Sequence, residues 1–191
     1  MNELDAPKDK RLQPYILEYY RTISDEKLAA NVTSKEDLLS TLYYDFGTHS
    51  QNKFVADWFE FNLNINNLLT ALACRKHGFD IKQAIVGNNE VAKTIRTSNT
   101  HDFNLSGIFE PVEAIIAISE NPNLLEREKA IDNLKWNWLE EHTFFNYFTI
   151  ERVLAFYLRC ELLHRWDNLT LENGQAIFRQ LLEDLKKDVK L

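Results

Sequence analysis

Between Trp58 and Phe79 the chain reads WFEFNLNINNLLTALACRKHGF. Phe54, Trp58, Phe61, Ile65, Leu68 and Leu72 follow one another in steps of four and three. That spacing predicts one long helix, from about Ser50 to His77, with a continuous apolar seam. Val55, Phe59 and Leu69 widen the seam. Arg75, Lys76 and His77 suit the negative end of the helix, and Gly78 suits the left-handed residue that closes it. The same helix carries Asn62, Asn64, Asn66 and Asn67. Asparagine prefers caps and turns, because its amide competes with the backbone for hydrogen bonds. The fold must therefore supply partners for these amides while burying the seam between neighbours.

The rest of the chain repeats the helical period. Pro14 suits a first helical turn, followed by a stripe at Tyr15, Ile16, Tyr19, Tyr20 and Ile23. Thr33 or Ser34 can cap a second helix bearing Leu38, Leu39, Leu42, Tyr43 and Phe46, which Gly47 is expected to end. Short turns are expected across Phe79–Gly107, and TSNTHDFNLSG (Thr97–Gly107) reads as a loop. Further helices are expected after Pro111, after Pro122, after Thr149 and after Thr170. The helix after Thr149 is apolar nearly all round, so a central position is expected for it. No segment alternates with period two, and only 5 Gly and 4 Pro punctuate the chain. The expected architecture is all-α, with about eight helices in a bundle. Residues 1–10 read as a flexible lead-in, 11–100 as an N-terminal helical lobe and 101–191 as a C-terminal one, or the two lobes as one continuous domain. The tail LKKDVKL is expected to fray.

Net charge is -7, a poor balance for generic nucleic-acid or anionic-lipid binding. Cys74 and Cys160 read as two buried free thiols in a reducing compartment. No apolar run approaches the ~20 residues that cross a bilayer, and the polar start shows no signal peptide. A cytoplasmic protein is expected, peripheral on the inner membrane face where a complex holds it there.

Motifs for chemistry are sparse. The five histidines are scattered, and neither H-E-x-x-H nor C-x-x-C occurs. Glu161–His164 fits E-x-x-H, which di-iron bundles place on facing helices, but no second pair accompanies it. Nucleotide-binding glycine loops and G-x-S-x-G are absent. The expectation is no enzyme, no cofactor and no metal. What stands out instead is aromatic. Trp136 and Trp138 project about 200 degrees apart on a helix, so one is expected in the core and the other on a second face. Exposed Trp and Arg dominate interface hot spots. Trp136, Trp138, Arg165 and Trp166, with the basic turn Arg75–Lys76, are therefore the candidate partner-interface residues.

Two segments carry a family resemblance. Asn67–Gly78, NLLTALACRKHG, resembles a helix of the C (or d) subunit of rotary V/A-type ATPases: an Asn opens a Leu- and Thr-containing turn, a basic stretch follows, and a Gly closes it. Phe148–Leu171, FTIERVLAFYLRCELLHRWDNLTL, is similar to the C-terminal helix pair of that group. It is closer to an uncharacterised bacterial family encoded among V-type ATPase subunits, with a Trp-containing segment (Lys135–Trp136), an aromatic pair and an R-W turn. Ala73 stands where the C subunit usually carries arginine, which favours the bacterial relative. The chain is shorter than members of either group, as a fragment lacking an N-terminal portion would be. The resemblance implies a non-catalytic helical subunit or accessory protein, linking or assembling the central stalk and membrane ring of an ion-transporting ATPase. Its implied partners are other ATPase subunits. The readings from other classes are a helical-bundle metal protein or enzyme, and a general helical adaptor.

Overall fold

The computed structural model describes residues 12–30, 34–167 and 169–188. Among these the protein is all-α, with ten helices, eight of them at least seven residues long, and no strand. The lead-in 1–10, the alternative cap Thr33 and the last residues of the tail lie outside the described residues. Two compact units divide the chain at Ile131/Asp132. The residues about 100, where a lobe boundary is expected, belong to the first unit.

The first unit is organised on α4, Lys53–His77. It packs against α3 (Lys35–Thr48), α5 (Ile81–Ala84), α6 (Glu90–Thr97) and α7 (Val112–Glu120). The expected seam is in the core: Phe54, Phe61, Ile65 and Leu68 are buried, as are Ile95, Phe103, Leu105 and Ile115 of the same unit. α1 (Pro14–Ser24) packs on α3, and the single turn α2 (Glu26–Ala29) follows it. Asn52 caps α4 through Val55 N–H, and Gly78 ends it at φ 74°, a left-handed conformation that costs glycine little.

The asparagines of α4 find separate partners. Asn67 donates to the Val86 carbonyl at 2.8 Å and accepts from the Val86 N–H at 3.0 Å, as a peptide group would. Asn64 accepts from Asn89 at 2.8 Å, and Asn89 also caps α6 by accepting from Ala92 N–H. Asn66 donates to the Tyr44 hydroxyl, and Asn62 donates to the Trp58 carbonyl one turn back. Burial pushes the Tyr44 hydroxyl above its usual range, against the opposing effect of the Asn66 hydrogen bond. Three of the four amides thus tie α4 to other segments, and this accounts for their place in an apolar helix. The turn Val86–Asn89, legible in sequence only as a turn, is the other half of this network.

Three expectations need correction. Gly47 does not end its helix. α3 runs on to Thr48 and is capped at His49, and the buried Gly47 marks the close approach of α3 to α4. A Cβ at Gly47 would lie 1.8 Å from the Phe59 ring. Gly47→Ala is therefore expected to destabilise by ~1–3 kcal/mol through overpacking, outweighing a helix-propensity gain of at most about 1 kcal/mol. Urea denaturation checks the sign, and a stabilised variant would contradict the close packing. The second correction concerns α9 (Ile150–Asp167), which is not central: only Ala155 is buried. Its second apolar face is left open, a property that periodicity alone does not separate from a core helix. The third concerns the thiols. Cys74 is buried, and burial pushes its pKa up, whereas Cys160 is exposed on the open face of α9.

Candidate partner-binding surface

The second unit contains most of α8 (Leu124–Thr143), together with α9 and α10 (Leu171–Asp188). Asn123 starts α8 by accepting from Leu125 N–H at 3.0 Å. Three arginines of α9, about two turns apart, fasten it to α8. Arg152 donates to the Thr143 hydroxyl at 3.1 Å and carbonyl at 3.3 Å. Arg159 pairs with Glu140 at 3.1 Å, and its guanidinium lies 5.1 Å from the centre of the Trp136 ring. Arg165 reaches Asp132 at 2.5 Å. Numbers fall along α8 as they rise along α9, so the two helices run antiparallel. The positions 152, 159 and 165 show this two-turn repeat in the sequence, but only the facing helix reveals what it serves.

The corner between the helices is aromatic and hydrogen-bonded. Thr143, fully buried, donates to the Leu139 carbonyl at 2.7 Å while receiving Arg152. Asn146 N–H reaches the Thr143 carbonyl at 3.1 Å, and the Thr149 hydroxyl starts α9 by accepting from Arg152 N–H at 3.4 Å. On this frame stand Phe144, Phe145, Tyr147 and Phe148, all exposed, with Phe145 at 82% and Phe148 at 107% of full accessibility. Phe148 adopts φ 59°, a left-handed conformation that a bulky residue takes only at a cost of ~1–3 kcal/mol. Phe144 and Phe145 meet edge to face at 4.8 Å. Aromatic side chains carry ~150–250 Å² each, so four in one corner rival the ~300–600 Å² of the largest apolar patch on a typical monomer. The patch continues along the outer face of α9 through Ile150, Val153, Phe156, Tyr157 and Leu163. α10 adds a stripe of Ile177, Phe178, Leu181, Leu182 and Leu185, also exposed.

The residues singled out from sequence fall in several places. Trp136 is half-buried beneath Arg159, and Trp138, also half-buried, stacks on His142 at 3.9 Å. Neither tryptophan is a fully buried core residue. Arg165 and Trp166 converge on one oxygen of Asp132, the indole N–H at 2.8 Å, so both are engaged in joining α9 to α8. Arg75 is engaged within the first unit: it donates to the carbonyls of Thr100 at 2.6 Å and His101 at 2.9 Å and lies 3.8 Å over the Phe103 ring. Beside it, Lys76 is exposed. Glu161 and His164 are exposed on α9, and the Glu161 hydrogen bond pushes the Tyr157 hydroxyl up. The Phe144–Phe148 corner was named in the sequence only as a run of aromatics. Its exposure and its strain are set by the fold.

Open grooves lie in the first unit. One of about 410 Å³ is lined by Tyr15, Ile16, Tyr19, Tyr20, Leu39, Ser40 and Tyr43. Another of about 420 Å³ lies beside Ser106–Glu110 and the start of α7. In the adjoining loop Asp102 accepts hydrogen bonds from Ser106, Asn104 and Thr100, which hold its carboxyl well below the usual carboxylate range. Among the described residues, no three His, Cys, Asp or Glu side chains converge as a metal site would require, and no helix is long and apolar enough to cross a membrane.

None of the curated proteins and none of the solved structures matches the chain. A family model matches residues 1–189, and the chain belongs to that family, whose description is "Protein of unknown function (DUF2764)".

Proposed function

We propose that the protein is a non-catalytic helical subunit or accessory factor of a bacterial V/A-type rotary ATPase, which links or assembles the central stalk and the membrane ring. The observation that carries an interaction role is the braced corner Phe144–Phe148, where exposed aromatics stand on a strained backbone. Interface energy concentrates in such aromatic anchors, and observed strain is a reason to look for function there. The assignment to this machine draws on the resemblance of NLLTALACRKHG and FTIERVLAFYLRCELLHRWDNLTL. The first segment is the C-terminal half of α4 with its glycine cap, and the second begins in the corner and runs through α9 to the first residue of α10. Fold alone does not fix a partner.

Retention of the tagged full chain on purified central-stalk and ring subunits tests the reading. Phe145→Ala and Phe148→Ala are each expected to weaken retention about 30-fold, as central hot-spot residues do. Wild-type chain that binds neither the stalk nor the ring would end the ATPase assignment. Equal binding by wild type and both variants would leave the corner without a role.

A further inference from the structure

We draw no further inference here: the strongest candidate, the exposed apolar faces of α9 and α10 in the second unit, carries nothing, because no feature of the structure shows what covers them.

Discussion

Replacing Asn67 by leucine is expected to destabilise the first unit by ~2–4 kcal/mol, because it leaves two backbone groups of Val86 without their partners. Leucine keeps the branched outline of asparagine and is the larger of the two, so no cavity forms. The loss comes from the Val86 N–H and C=O, which Asn67 holds at 3.0 and 2.8 Å. Asn67 is only 3% exposed, so water cannot take over its side of the pair. For a protein of this size the melting temperature is expected to fall by about 5–10 °C. Asn62→Ala supplies the control. Its amide reaches only the Trp58 carbonyl of its own helix, so its loss is expected to cost less than about 0.5 kcal/mol. Urea unfolding followed by far-UV circular dichroism compares the two. Equal stabilities would mean that the Asn67–Val86 pair does not hold the turn to α4.

A second large effect is expected at Asp132. One carboxylate oxygen receives Arg165 at 2.5 Å and the Trp166 indole N–H at 2.8 Å. The Asp132 side chain is 10% exposed and that of Arg165 45%, so solvent screening reduces the ion pair to about 1–2 kcal/mol. Leaving the indole N–H unpaired adds ~1 kcal/mol or more. Asp132→Ala is thus expected to cost ~2–3 kcal/mol, and Asp132→Asn, which keeps an acceptor, about half as much. Tryptophan fluorescence and amide exchange along α8 and α9 report the change. Exchange rates in α9 identical to wild type would show that the join resides instead at Arg152 and Arg159.

Much of the fold is legible in local sequence. The seam from Phe54 to Leu72, the caps at Ser34 and Thr149, and the glycine stop at Gly78 are all short-range signals, set by a period of 3.6 residues and by unpaired groups at helix ends. Gly47 misleads for a stated reason. A glycine near a helix end reads as a stop, yet here it makes room for Phe59. Arg75 and Arg165 were legible as functional types of residue, but a guanidinium serves equally well to tie a loop or to clamp a carboxylate on a neighbouring helix. Only the neighbour decides.

The sequence by itself determined that this chain is helical, where most of its helices begin and end, and that α4 must bring partners to its asparagines. Those properties depend on residues within a turn or two of one another. Tertiary structure alone decided that Val86, Asn89 and Tyr44 are the partners, that α9 is fastened to α8 through its arginines and leaves an apolar face open, and that Phe145 and Phe148 stand in solvent on a strained corner. Burial and pairing depend on residues brought together from nine to more than thirty positions apart, and no local period encodes which of two apolar faces will be covered.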